Sequence, residues 1–289
     1  MNKGITLRGA FGSSFRRLCC PDLKAKCSSC SLHSTCPYGF IFEPRVPEEA
    51  ERLRLNRDIP RPFVIKPPLD EKEHYAIGDR FIFELILIGK VVQFFPYFLL
   101  SFQNLGEWGI GLKRGRFEIL LVESLDVNGN AQVIMEAGNS MVRLPEIAID
   151  FDKMPAPPEK KVAITFLTPI LLKHGGRWVL PNFGTLIRRL RDRLNALSYF
   201  YCQEVLSLDF YSLGKKADKI ISEFGEMSWI EEDRYSKYKN LTHTLKGWIG
   251  QAEYKGDISE FWPFLWIGQY IHVGKAATFG QGWYKVKPA

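Results

Sequence analysis

Long apolar runs are missing from this chain. No stretch reaches the roughly 18 apolar residues of a membrane span. The nearest, FIFELILIGKVVQFFPYFLLSF, is interrupted by Glu84, Lys90, Gln93 and Pro96. The N-terminus, MNKGITLRGAFGSSF, lacks the apolar core of a secretory signal. A soluble, cytoplasmic protein is the expectation. No paired-carboxylate metal site stands out, and histidine is scarce, with five in 289 residues. Neither of the common nucleotide loops is present. A Walker loop needs its lysine after the last glycine and a helix behind it, whereas Lys275 follows Gly274. A dinucleotide loop also opens a helix, and only seven residues follow Gly282.

What is present points elsewhere. The chain is 46% hydrophobic and 13% aromatic, ample for a core, and carries a net charge of +7. That balance fits a nucleic-acid partner without requiring one. Cysteine is confined: five of six lie between residues 19 and 36. Cys20, Cys27, Cys30 and Cys36 give C-x6-C-x2-C-x5-C, a spacing suited to tetrahedral zinc in a closed, structural site. An iron–sulfur cluster also takes four cysteines. Cys19 or His33 is an alternative ligand. Unliganded thiols are the plain alternative.

Periodicity divides the chain into 1–155 and 160–289, with DFDKMPAPPEKK between them. Leu7, Phe11, Phe15 and Leu18 predict a first helix, followed by the cysteine loop at 19–36 and a proline-rich irregular stretch over 44–79. Next come a strand over 81–89, a helix over 91–107 weakened by Pro96, a glycine loop at 109–115 running into a strand, and AQVIMEA as another strand. The second half reads as strand (162–172), helix (183–201), two strands with a turn near Lys239-Asn240, helix, glycine loop (274–282) and strand. That order is β-α-β-β-α-β, the ferredoxin-like split βαβ, in an α+β chain. The first half repeats it from its helix onward, with the first strand not found. Arg188, Arg189 and Arg193 make one helix surface basic, a pattern equally typical of a solvated face.

Four segments, LRGAFG, CPYGFIFEP, GIGLKRGRFEI and GWIGQAEYKGD…HVGKAATFGQGWY, occur in this order over most of the chain. In this the sequence resembles the CRISPR-associated RAMP-superfamily endoribonucleases that cut precursor CRISPR RNA within its repeats. The resemblance implies tandem ferredoxin-like (RRM-like) domains and cleavage without a catalytic metal, by attack of a ribose 2′-hydroxyl. Precursor CRISPR RNA is then the partner, and other CRISPR-associated subunits are further candidates. The alternative is a non-catalytic RAMP subunit of an interference complex. On this reading Gly274, Lys275, Thr278, Gly280 and Gly282 face an RNA backbone, glycine allowing the main chain to approach phosphate closely. Lys246, Arg188 and Arg189 are further RNA contacts. His272, abutting the glycine loop, is the first candidate for acid–base chemistry, His33 and His243 the next.

Overall fold

The computed structural model describes residues 3–46, 58–139, 141–236 and 241–288. Alternation and helical spacing place most elements where the sequence predicts them. α1 (Lys3–Cys19) buries Leu7, Phe11 and Phe15 on one face. Phe11 stacks on Phe98 and Phe102 of α3 (Phe95–Trp108), with centroids 5.2 and 4.6 Å away. Between these helices lie α2 (Pro37–Phe42) and an antiparallel pair, β1 (Phe63–Lys66) and β2 (Glu84–Leu87). A hairpin follows, β3 (Leu121–Leu125) with β4 (Ala131–Glu136).

Three local departures have simple causes. The strand expected over 81–89 is limited to β2. The helix expected from Val91 begins with a 3-10 turn, Gly89–Phe94. α3 starts at Phe95, so Pro96 sits in the first helical turn, where its missing N–H is harmless. β1 lies in the stretch read as irregular, fully buried between flanking prolines. Among the described residues no strand precedes α1, and the β1–β2 sheet is two-stranded.

The second half contains β5 (Lys161–Ile170), the hairpin β6 (Leu172–His174) and β7 (Arg177–Val179), α4 (Phe183–Leu197), α5 (Phe210–Ala217), β8 (Ile221–Ser236), β9 (Leu241–Lys255), α6 (Trp262–Ile271) and β10 (Tyr284–Pro288). Its four-stranded antiparallel sheet has the order β10-β5-β9-β8. This is the ferredoxin-like arrangement, with first and third strands central. Alternate residues of β5 (Val162, Ile164, Phe166) meet Phe183, Leu186 and Leu190 of α4 and Leu265 of α6. The turn expected near Lys239-Asn240 lies outside the described residues.

The two halves share packing. α4 runs into a π-turn, Ser198–Cys202, whose Tyr201 packs edge-on to Phe40. Leu197 and Ile271 join the aromatic core of the first half, while Ile149 and Met154, in the connecting stretch, pack on the core of the second. Among the described residues no helix is long and apolar enough to cross a membrane.

Candidate RNA-binding surface and active site

His272 caps α6. Its amide donates to the Gly268 carbonyl (2.9 Å), and its backbone has φ 60° and ψ 172°, a region almost reserved for glycine. The ring is fully buried and lies parallel to Trp283, centroids 5.9 Å apart. Nδ1 lies 3.2 Å from the Gln281 carbonyl, which can only accept, so Nδ1 carries the proton. Nε2 is buried without a partner. Burial first, then the nearby Lys66 and Arg193 cations, hold the imidazole pKa well below 6.5. The expectation that His272 faces the substrate is corrected here: it is a neutral core residue, sealed from RNA.

That burial has a pH signature. The folded chain keeps His272 neutral, whereas the unfolded chain protonates it below about pH 6.5. Its contribution to stability is therefore full above that pH and lost as pH falls, by up to about 1.4 kcal/mol per pH unit. His272→Gln removes the titration. Denaturant melts of both chains from about pH 7.5 to about pH 5 should show a shallower acid loss for the variant. Identical slopes would mean His272 is not held neutral.

The glycine loop is a clamp rather than an open cradle. The Gly280 amide donates to Ala277 (3.0 Å) and the Gly282 amide to Pro169 (3.0 Å), so neither is free for phosphate. A Cβ on Gly280 would fall 2.7 Å from the Ile65 carbonyl oxygen, across the junction with β1. On Gly274 it would fall 2.7 Å from that of Leu171. The 3-10 turn Ala277–Phe279 packs on α1 and β1. There Phe279 and Phe42 flank the buried Arg8 guanidinium, 5.4 and 4.7 Å from their ring centroids, and burial lowers the Arg8 pKa to about 10. Thr278 is half-buried. Lys275 is the exposed member of the set.

Lys275 leads to a feature the sequence reading missed. Its Nζ sits 4.9 Å from the Trp178 ring centroid, and that of Lys173 5.6 Å from it. Lys173 and Trp178 are cross-strand partners in the β6–β7 hairpin, which turns at Gly175 and Gly176, both at positive φ. Trp178 remains 37% exposed. The result is a partly exposed indole with two ammonium groups close to its ring. Arg189 braces it by donating to the Lys173 carbonyl (2.6 Å). Trp178 beside Arg177 in GGRWVL was the available signal, but nothing in the sequence pairs it with Lys275.

Two other expected RNA contacts are already engaged. Arg188 chelates the Asp218 carboxylate and donates to the Gly214 carbonyl (2.9 Å), tying α4 to α5. Lys246, opposite Glu231 in the β8–β9 ladder, has its Nζ 3.8 Å from that carboxylate.

Of the remaining histidines, His74 and His174 are exposed. His243 pairs with Arg234 in the β8–β9 ladder, and its side chain lies outside the described residues. His33 is partly exposed. Its Nε2 donates to the Glu43 carbonyl at 2.7 Å, which leaves Nδ1 as the basic nitrogen. The ring rests on Gly39, where a Cβ would fall 3.2 Å from Cδ2. Around it the cysteine loop is pinned by Arg45, donating to Cys27 (2.7 Å) and Ser28 (3.0 Å), and by Arg16, donating to Ala25 (2.8 Å). Cys20, Cys27, Cys30 and Cys36, the expected metal ligands, line a cavity of about 200 Å³ with Cys19 and His33. Among the described residues no three His, Cys, Asp or Glu side chains are gathered closely enough to hold a metal ion.

A ferredoxin-like sheet, an exposed indole near two lysines and a partly exposed histidine are parts that an RNA-processing protein can use. Residues 1–147 match the N-terminal domain family AF_1859_N, and residues 164–284 match CRISPR-associated endoribonuclease Cas6. The C-terminal half is thus a Cas6 endoribonuclease domain joined to an AF_1859_N domain, and the two matches together identify a CRISPR repeat-cleaving endoribonuclease. The fold agrees. The product complex of Cas6 (TTHB231) from Thermus thermophilus is 15% identical, with TM-score 0.58 over 99% of this chain and 94% of that one. The Cas6 (TTHA0078) product complex is 12% identical, with TM-score 0.51 over 99% and 93%. A partial Cas6-RT-Cas1–Cas2 complex is 13% identical, with TM-score 0.51 over 99% of this chain and 43% of that one. No curated protein matches the sequence.

Proposed function

We propose that the chain cuts repeat RNA by 2′-hydroxyl attack without a catalytic metal, with His33 as the base. The observation that carries this reading is the fixed tautomer of a partly exposed imidazole: Nε2 bonded to Glu43, Nδ1 unspent. Nδ1 takes the proton of the 2′-hydroxyl. The 2′-oxygen bonds to the adjacent phosphorus and the bond from phosphorus to the 5′-oxygen breaks. The leaving oxygen takes a proton from water. One fragment ends in a 2′,3′-cyclic phosphate, the other begins with a 5′-hydroxyl. End-labelled repeat RNA incubated with the protein in excess EDTA tests this. These two ends are expected. A requirement for added metal, or a 3′-hydroxyl product, would overturn it.

RNA binding is assigned to the Lys173–Trp178–Lys275 surface, the indole stacking on a base while the ammonium groups meet phosphates. Trp178→Ala should weaken repeat binding by about one to two orders of magnitude, the worth of one stacked base. Lys275→Ala should weaken it less and lower the slope of log affinity against log salt by about one. Filter binding across a salt series separates the two, and unchanged affinity in both variants would move the interface elsewhere. His243, whose surroundings are undescribed, is the second candidate for acid–base work. Likeness to a Cas6 segment joined to Cas1–Cas2 supports other CRISPR proteins as partners.

A further inference from the structure

The cysteine loop has no apolar interior. From Cys20 to Cys36 not one residue is buried, and both leucines, Leu23 and Leu32, are half exposed. The partly covered residues are Cys20, Ala25, Cys27, Cys30, His33 and Cys36. The loop's cysteines are all partly covered, while both of its leucines are half exposed. Cysteine is often covered for its own sake, so the telling observation is that these residues gather around one space. All four, with Cys19 from the end of α1 and His33, line one cavity.

What holds the loop otherwise is polar and mostly local: short-range turns such as His33 to Cys30 and Cys36 to His33, the 3-10 turn Cys27–Ser29, the His33–Glu43 bond, and the contacts of Arg16 and Arg45 to main-chain carbonyls. Contacts of this kind bury little apolar surface to offset the entropy of ordering the segment.

We propose that Cys20, Cys27, Cys30 and Cys36, which line one cavity without being gathered to coordinating distance in this structure, are drawn together around one zinc ion as four thiolates, and that the metal staples the loop. Four sulfurs close the tetrahedron, so the ion takes no water or substrate and has no part in cleavage. His33 is not a ligand, and Cys19, on the preceding helix, is not needed. The inference stands apart from the assignment of the catalytic base, since metal content is read without any cleavage assay.

The test uses the full chain purified under reducing conditions. Elemental analysis should find zinc at one per chain. Exchange with Co²⁺ should give the strong thiolate-to-metal absorption and visible bands of a tetrahedral all-sulfur site. Serine in place of Cys20, Cys27, Cys30 or Cys36 should each lose the metal, whereas Cys19→Ser, Cys202→Ser and His33→Ala should keep it. In case the serine variants fail to fold, the wild-type chain is also treated with chelator. Trypsin should then cut at Lys24 and Lys26, and added zinc should protect them. A reduced chain that carries no metal and takes up no Co²⁺ overturns the proposal. So do iron with sulfide, disulfides surviving as the native pairing, a cobalt spectrum lacking sulfur bands, or a loop whose proteolysis ignores chelator.

Discussion

His33→Ala will slow repeat cleavage by about 10²–10⁴-fold, the usual worth of a positioned general base. Affinity for the repeat will stay close to that of the wild type. The side chain is partly exposed and its ring fills no core, so its removal opens only the small space over Gly39. One hydrogen bond to the Glu43 carbonyl is lost, worth about 1 kcal/mol of local order. Those losses are too small to abolish cleavage through unfolding. His33→Gln separates the roles. Its amide can still donate to Glu43 but cannot take a proton at neutral pH. A purely positioning histidine would be rescued by glutamine, whereas a base would not. Both variants should melt within a few degrees of the wild type. Single-turnover cleavage and filter binding on the same preparations check the prediction. Full activity in His33→Ala would transfer the base to His243 or to a group outside the histidines.

Gly282→Ala will destabilise the whole fold by roughly 3 kcal/mol or more, the sum of a positive-φ penalty and a backbone clash. Gly282 has φ 67°, and a Cβ there would lie 1.8 Å from the Val273 carbonyl oxygen. That oxygen belongs to main chain held by its own bond, the Val273 amide to the Gly282 carbonyl at 3.2 Å. The loop cannot swing away, because Thr168 Oγ donates to the Gly280 carbonyl (2.7 Å) and the Gly282 amide to Pro169. Gly129→Ala is the control. It also has positive φ, 82°, but nothing lies within 4 Å of the added carbon. It should cost only about 1 kcal/mol. Denaturant midpoints for the two variants measure the difference, which isolates the clash from the backbone strain.

These two sites show where the sequence is informative. Gly274, Gly280 and Gly282 announce positive φ, and the structure gives each of them that backbone. What the glycines approach is another matter. Identity alone does not distinguish a phosphate from a carbonyl of β1, since both demand the absence of a Cβ. His272 illustrates the same gap. Adjacency to the loop made it the leading candidate, yet a residue ending an apolar helix is as easily drawn inward, and only the tertiary contact with Trp283 reveals that it is.

The second half was readable because its elements carry clean periods. β5 alternates along its length, α4 keeps Leu186 and Leu190 on one face, and their order already implies a ferredoxin-like sheet. β1 was not, because FVIK is fully buried and flanked by prolines, so it shows neither alternation nor a quiet boundary. The β6–β7 hairpin and α5, three and three residues and eight residues long, are too short for periodicity to register. Arg188 reads as a surface cation until Asp218, thirty positions away, is seen to claim it.

The claim on which the rest depends is that the attacking group belongs to the RNA itself. The direct measurement replaces one nucleotide of the repeat, the one on the 5′ side of the cut, by its 2′-deoxy form. Such an RNA should bind with unchanged affinity and remain intact, since the nucleophile is gone while phosphates and bases are not. Cleavage of the deoxy-substituted repeat at the ordinary rate would contradict the mechanism and require a nucleophile supplied from outside the RNA.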